Sequence, residues 1–160
     1  MKPEPRESQA GLLVIGYGNT LRRDDGVGPR VAEAVAALGL TGVHTLACPL
    51  LTPELAEAVS QARVVIFVDA AVDAPREVQF RKLAPAESSQ VMAHAASPAT
   101  LLALARDVFG HVPEAWWLTI PVGDLGIGDE FSSLAKCGFE RAVHEVRKCA
   151  EALASRHPGQ

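Results

Sequence analysis

Acidic residues stand at two places in this sequence where apolar strands would end. Asp24 and Asp25 follow the segment "VIGYGNTLRR", and Asp69 comes near the end of "RVVIFVDA". A lone carboxylate beside so apolar a segment costs several kcal/mol unless it is paired or bound to a metal. Carboxylates joined by an imidazole would form a site suited to Zn, Ni, Mn or Fe(II). The residue types therefore predict a metal site.

A histidine is the natural third ligand for such a site. His94 is the best candidate of the five histidines, because "HAASPAT" places it in a loop just before the predicted helix cap at Ser97. Each residue also has an ordinary alternative. Asp25 could be a charge in the first turn of a helix, Asp69 a turn former, and His94 a surface-loop residue.

The glycine turn before the acidic pair suggests a nucleotide site as a rival interpretation. Gly16 and Gly18 fit the first two positions of G-x-G-x-x-G, but Leu21 occupies the third. Asp24 and Asp25 would repel a pyrophosphate, and the lysine of a phosphate-binding loop is missing. These features argue against a dinucleotide, although a small nucleotide-binding α/β domain remains an alternative.

Alternating strands and helices must position these residues. The pattern predicts an α/β protein, a three-layer α/β/α sandwich around a mainly parallel, mixed sheet of about five strands. In such a sheet, ligands bind at the carboxyl ends of the strands, where the acidic residues stand. The predicted strands are 11–18, 43–48, 63–70, 77–83 and 115–123, and the predicted helices are 25–38, 52–62, 97–110 and 132–156.

Composition limits the possible functions further. The chain has 160 residues and a net charge of −4, with no basic cluster that would suit a nucleic acid and no apolar run that would suit a membrane. We expect one domain over residues 11–156, preceded by a disordered lead-in at 1–10. Three widely spaced cysteines without a Cys-x-x-Cys motif predict no disulfide and no zinc knuckle, so a cytoplasmic location is expected.

The first block of the sequence also resembles a known family. "GYGNTLRRDDGVG" is similar to the pattern G-x-G-N-x-L-x-x-D-[DE]-x-x-G that opens the [NiFe]-hydrogenase maturation endopeptidases. The segments "LTPELAE", "VIFVDA", "HAASPATLLALA" and "TIPVGDLGIGDEFS" look like later blocks of the same family in the same order. The resemblance spans roughly residues 11–150.

The resemblance implies an endopeptidase that removes a C-terminal extension from the nickel-loaded large-subunit precursor. By motif position, Asp25 and Asp69 would be catalytic, and Asp25, Asp69 and His94 would be the metal ligands. The nickel would be supplied mainly by the substrate. The precursor would be the partner, the protein is expected to be a monomer, and a non-cleaving chaperone of the same fold is the main alternative.

The same motif suggests roles for the residues around Asp25. Gly16 and Gly18 would allow a close approach of the backbone, and Asn19 would hold the turn through side-chain hydrogen bonds. Asp24 would either cap the following helix or orient Asp25.

Overall fold

The protein folds around one five-stranded sheet, and the computed structural model describes residues 11–88 and 96–156. A short 3-10 helix, Arg23–Gly26, precedes the first α-helix. The strands are β1 (Leu12–Tyr17), β2 (Val43–Cys48), β3 (Val64–Ala71), β4 (Gln79–Leu83) and β5 (Glu114–Pro121). The helices are α1 (Val27–Ala37), α2 (Leu55–Gln61), α3 (Pro98–Phe109) and α4 (Ser133–Arg156).

The sheet is mixed but mainly parallel. Its strand order is β2-β1-β3-β5-β4, and only β4 runs antiparallel to its neighbour. Helices α1 and α4 pack on one face, while α2 and α3 pack on the other. The predicted three-layer α/β/α fold is therefore confirmed. The carboxyl ends of β1, β2, β3 and β5 lie along one edge of the sheet.

The central strands β1 and β3 are apolar on both faces because helices cover both faces. Leu12 and Val14 belong to the core under α1 and α4, whereas Leu13 and Ile15 belong to the core under α2 and α3. This alternation assigns each later side chain of a strand to a face of the sheet.

Helix α1 lies unusually close to the sheet because glycines face each other there. A Cβ atom on Gly16 would lie 2.0 Å from the carbonyl oxygen of Gly28, and one on Gly28 would lie 2.5 Å from that of Val68. Side chains at these positions would push α1 away from the strand ends, so the glycines set the position of the turn that joins β1 to α1.

The observed ends of one helix, α3, agree with the prediction, whereas the starts of α1 and α2 differ from it. Ser97 caps α3 by accepting a hydrogen bond from the Thr100 N–H, as predicted, and Gly110 ends α3 with φ of 75°. The prediction that helix 52–62 starts with Thr52 as its N-cap was wrong, because α2 begins at Leu55. The first helix was also predicted too early, since a 3-10 turn occupies residues 23–26.

Two further expectations bear on the class of protein. Cys48, Cys137 and Cys149 are all free thiols in the structure. Within residues 11–88 and 96–156, no helix has the length and apolar character needed to cross a membrane.

Candidate functional site

The turn after β1 places Asp25 at the carboxyl edge of the sheet. The Asn19 N–H donates a hydrogen bond to Asp25 Oδ2 at 2.8 Å, and the Asn19 side-chain oxygen accepts one from the Leu21 N–H at 2.9 Å. The Asp25 N–H donates to the Arg22 carbonyl at 2.9 Å. Asn19 thus holds the turn with its side chain while its backbone holds one carboxylate oxygen of Asp25.

Asp69 lies near the end of β3, beside Tyr17 at the end of β1. The Tyr17 hydroxyl donates a hydrogen bond of 2.9 Å to Asp69 Oδ2. Burial raises the pKa of Asp69 to about 6, against the opposing effect of hydrogen bonds from Tyr17 and the Ala70 N–H. The negative charge of Asp25 raises the pKa further, so the two carboxylates act on each other electrostatically.

Tyr17 is a stable donor to Asp69. Burial, followed by the negative charge of Asp69, strongly raises the pKa of the Tyr17 hydroxyl, which therefore keeps its proton. The Trp117 indole lies near enough to lower the pKa of Tyr17 in part. The indole Nε1–H is buried without a hydrogen-bond partner among the described residues, and as a donor it does not compete with Asp69 for the Tyr17 proton.

Asp24 is completely buried and holds the β5–α4 loop, which comprises residues 122–132. Its carboxylate accepts hydrogen bonds from the N–H groups of Gly123, Asp124 and Ser132 at 2.8–2.9 Å, and from the Ser132 hydroxyl at 2.5 Å. Burial alone would raise the pKa of Asp24, but the hydrogen bonds from Ser132, Gly123 and Asp124 hold it below its ordinary value. Asp24 is therefore an ionised structural anchor.

The predicted helix-capping role of Asp24 was wrong. The N-cap of α1 is Gly26, which has no side-chain cap hydrogen bond, and the cap of the preceding 3-10 turn has none either. Asp24 is committed to the β5–α4 loop because three backbone donors converge there. It can affect Asp25 only by fixing the turn that carries both residues.

Backbone hydrogen bonds extend the junction between the turn and the β5–α4 loop. The Arg23 N–H donates to the Gly128 carbonyl at 2.9 Å, and the Gly128 N–H donates to the Leu21 carbonyl at 2.9 Å. Arg23 also forms an ion pair with Asp124 at 3.4 Å. Arg23 has φ of 40°, a left-handed conformation that costs a non-glycine residue about 1 kcal/mol or more. The junction holds this strained residue in place.

A groove of about 400 Å³ opens beside the turn. Gly18 lines it with φ of 145°, and a Cβ atom there would lie 2.0 Å from the carbonyl oxygen of Asp25. The close backbone approach expected at Gly16 and Gly18 is therefore made by the protein's own chain. The groove is bounded by Gly18, Asn19, Thr20, Leu21, Pro29, Glu33, Ala47, Cys48 and Pro49.

The structure brings part of the predicted site together. Asp25 and Asp69 interact at the strand ends, and Asn19 contacts Asp25. His94 lies outside the described residues. Among residues 11–88 and 96–156, no group of three or more histidine, cysteine, aspartate or glutamate side chains is arranged to hold a metal ion. The ligand roles of Asp25, Asp69 and His94 stay predictions.

Sequence reasoning missed Tyr17 and Ser132. A signal for Tyr17 was present, because Leu13, Ile15 and Tyr17 alternate onto one face of β1. Tyr17 is the only tyrosine in the chain and follows Gly16, which pairs with the residue before Asp69. Ser132 gave no comparable signal, since it lies 108 positions from Asp24 in a loop.

The three-layer α/β/α fold of this chain is similar to that of several solved structures. HybD from Thermococcus kodakarensis, a [NiFe] hydrogenase maturation protease, superposes with a TM-score of 0.66 at 23% identity, covering 87% of this chain and 98% of that one. The hydrogenase maturating endopeptidase HybD from E. coli gives a TM-score of 0.69 at 21% identity, covering 88% and 92%.

A third similar structure is the [NiFe] hydrogenase maturation protease HycI from Thermococcus kodakarensis KOD1. It gives a TM-score of 0.69 at 22% identity and covers 89% of this chain and 93% of that one. No protein-family model and no curated protein sequence matches the chain. The protein thus has the fold of the [NiFe] hydrogenase maturation proteases, over nearly their whole length.

Proposed function

We propose that this protein is an endopeptidase that removes a C-terminal extension from the nickel-loaded large-subunit precursor of a [NiFe] hydrogenase, acting as a cytoplasmic monomer. The observation that carries the proposal is geometric: Asp25, held by the Asn19 N–H, and Asp69, held by the Tyr17 hydroxyl near the end of β3, both stand at the carboxyl edge of this fold. The motif around Asp25 and the fold shared with maturation proteases support the same function.

Asp69 is suited to proton transfer near neutral pH. Its pKa of about 6 leaves it mostly ionised at pH 7, yet makes it a stronger base than an ordinary aspartate. Tyr17 holds Oδ2, which fixes the orientation of the carboxylate. A water molecule beside Asp69 could therefore give up its proton while attacking the carbonyl of a bound peptide.

Asp25 supplies the second negative charge of the site. Together with Asp69 and His94, it would contribute oxygen and nitrogen donors to a nickel ion that the precursor already carries. Carboxylate and imidazole are donors that nickel accepts. In this proposal the nickel belongs to the substrate and marks the precursor as ready for cleavage.

The other common nucleophiles are poorly placed for peptide hydrolysis. Burial raises the pKa of the Cys48 thiol, so its reactive thiolate form is disfavoured. Ser97 is engaged with Thr100 in the cap of α3, where backbone and side chains bond reciprocally. These environments favour a mechanism based on the aspartates.

Mass spectrometry of the large subunit tests this function. The purified protein is incubated with nickel-loaded and with nickel-free precursor from the same source. We expect loss of a short C-terminal peptide from the nickel-loaded form only. Asp25→Ala and Asp69→Ala should abolish the cleavage, while Asp129→Ala, a change at an exposed carboxylate of the β5–α4 loop, should leave it intact.

Two outcomes would contradict the proposal. Stable binding of the nickel-loaded precursor without any cleavage would indicate the non-cleaving chaperone. Saturable binding of a dinucleotide that survives Asp25→Ala, with no effect on the precursor, would indicate a nucleotide-binding domain.

A further inference from the structure

Two aliphatic side chains beside the site are unusually exposed. Leu21 is 73% exposed and Ile127 is 89% exposed, the two highest values for large apolar side chains among the described residues. A single exposed leucine is ordinary on a protein surface. Leu21 and Ile127 differ from such isolated residues because the segments that carry them are hydrogen-bonded to each other. We call Leu21 and Ile127 the apolar lip.

The backbone beneath the apolar lip is fixed on both sides. The Gly128 N–H donates to the Leu21 carbonyl at 2.9 Å, and Arg22 pairs with Gly128 in a parallel bridge. The Arg23 Nε–H donates to the Ile127 carbonyl at 3.3 Å. Leu21 and Ile127 cannot turn inward without breaking these bonds, so the fold keeps them in water.

The apolar lip is continuous with the site. The Leu21 N–H donates to the Asn19 side chain, and the Asn19 N–H donates to Asp25. Leu21 also borders the groove of about 400 Å³, together with Pro29 and Pro49. Asn19, whose N–H is bonded to Asp25, borders the same groove, so a polypeptide lying in the groove contacts Leu21 close to the site.

We propose that the apolar lip docks on an apolar patch of the folded body of the protein substrate, next to the point where its C-terminal extension leaves. This inference rests on the proposed function and deepens it. The lip stands largely outside the groove, so a substrate must extend beyond the groove to cover it. Desolvating two aliphatic side chains favours binding, and the backbone that carries them is already fixed, so little backbone entropy is lost.

Charge next to the apolar lip narrows the kind of patch that fits. Arg22 is exposed, and its Nε–H donates to the Leu125 carbonyl at 3.2 Å, which holds the guanidinium beside the lip. An acidic side chain at the border of the partner's apolar patch would complement this charge. Asp129 and Glu130 are exposed two and three positions after Ile127, so a complementary partner surface is apolar with charges of both signs at its border.

Steady-state cleavage of the nickel-loaded precursor tests the docking surface. The variants are Ile127→Ser and the double change Leu21→Ser with Ile127→Ser. The matched control is Val108→Ser, because Val108 is 62% exposed near the end of α3, at the opposite edge of the sheet. We expect the double variant to raise KM about tenfold with kcat nearly unchanged, Ile127→Ser to raise it less, and the control to do nothing.

Three results would overturn the inference while leaving the proposed cleavage of the precursor standing. One is an unchanged KM in the double variant. Another is an equal loss of affinity for a synthetic peptide of the extension alone, which would assign the lip to the tail. The third is a wild-type dimer that the double change converts to a monomer, which would make the lip a contact between two copies.

Failure of the proposed function would look different. In that case the wild-type protein would not cleave the nickel-loaded precursor at all, whether or not it binds it, and the inference about the lip would fall with it. Ile127→Ser alone keeps the experiment decisive if the double variant folds poorly, because Ile127 is almost fully exposed.

Discussion

Asp24 and Asp69 are both aspartates at the carboxyl edge of the same sheet, yet their surroundings shift their pKa values in opposite directions. Asp24 is completely buried and accepts four hydrogen bonds from the β5–α4 loop, which hold its pKa low. Asp69 is less completely buried, but burial raises its pKa to about 6 because hydrogen bonds from Tyr17 and Ala70 compensate only in part.

The difference gives the two aspartates different roles: Asp24 is suited to holding a loop, and Asp69 is suited to binding or chemistry. A buried carboxylate whose two oxygens accept four hydrogen bonds stabilises a loop and has little left to offer a substrate. A carboxylate that lacks sufficient donors stays basic and open to a ligand, at a cost in stability. We therefore expect substitutions at the two positions to have opposite consequences.

The largest expected effect is on catalysis at Asp69. Asp69→Asn removes the basic carboxylate, and we expect cleavage of the nickel-loaded precursor to fall by on the order of a thousandfold or more. The melting temperature at pH 8 should stay the same or rise, because an unfavourably buried charge is removed. Mass-spectrometric rates and calorimetry check both parts. A marked fall in melting temperature would mean that the Asp69 carboxylate, like that of Asp24, stabilises the fold.

Asp24→Asn should have the reverse profile. The amide cannot accept all the hydrogen bonds that converge from Gly123, Asp124 and Ser132, so buried donors lose their acceptor. We expect the free energy of unfolding to fall by about 3 kcal/mol, measured by urea denaturation. The control is Asp129→Asn, at an exposed position in the same loop, for which we expect no measurable change.

The dependence of stability on pH should distinguish the same two residues. The raised pKa of Asp69 gives a stabilising contribution that is complete below the unfolded value near 3.8 and is lost as pH rises through about 6. The lowered pKa of Asp24 gives a contribution that is present above 3.8 and is lost as pH falls through the lower folded value.

The free energy of unfolding of the wild type and of Asp69→Asn, measured from about pH 3 to about pH 8, tests the direction of the Asp69 contribution. The wild type should lose stability relative to Asp69→Asn between about pH 4 and pH 7. A difference that stays constant across this range would mean that Asp69 titrates like an exposed aspartate.

A smaller effect is expected at Ser132. Ser132→Ala removes the hydroxyl donor to Asp24 and the acceptor for the Ala135 N–H at the start of α4 but keeps the backbone donor, so the loss in stability should be about 1–2 kcal/mol. Urea denaturation measures it, and Ser155→Ala in the last turns of α4 provides an exposed control. A loss as large as that of Asp24→Asn would mean that the hydroxyl dominates the anchor.

The smallest expected effect concerns Tyr17. Tyr17→Phe removes a hydrogen bond that favours the ionised form of Asp69, so the pKa of Asp69 should rise. The acid limb of the pH profile of kcat/KM should then move to higher pH. An unchanged profile would show that the hydroxyl positions Asp69 without affecting its basicity.

Much of the fold could be predicted because its signals are local. Apolar runs, glycine stops and the Ser97–Pro98 helix start indicate the layers and most element ends. The starts of α1 and α2 could not be predicted. A 3-10 turn precedes α1, and α2 begins at Leu55, three residues after the expected cap at Thr52. Helix starts depend on how the preceding loop is held as well as on local residue preference.

The sequence by itself determined that carboxylates would stand at the ends of strands in a three-layer α/β/α protein. It did not determine which of two adjacent aspartates would face the site. In a 3-10 turn, neighbouring side chains point about 120° apart, so Asp24 and Asp25 must have different surroundings. Tertiary structure decided the matter, because donors 99 to 108 positions later in the chain converge on Asp24 and leave Asp25 beside Asp69.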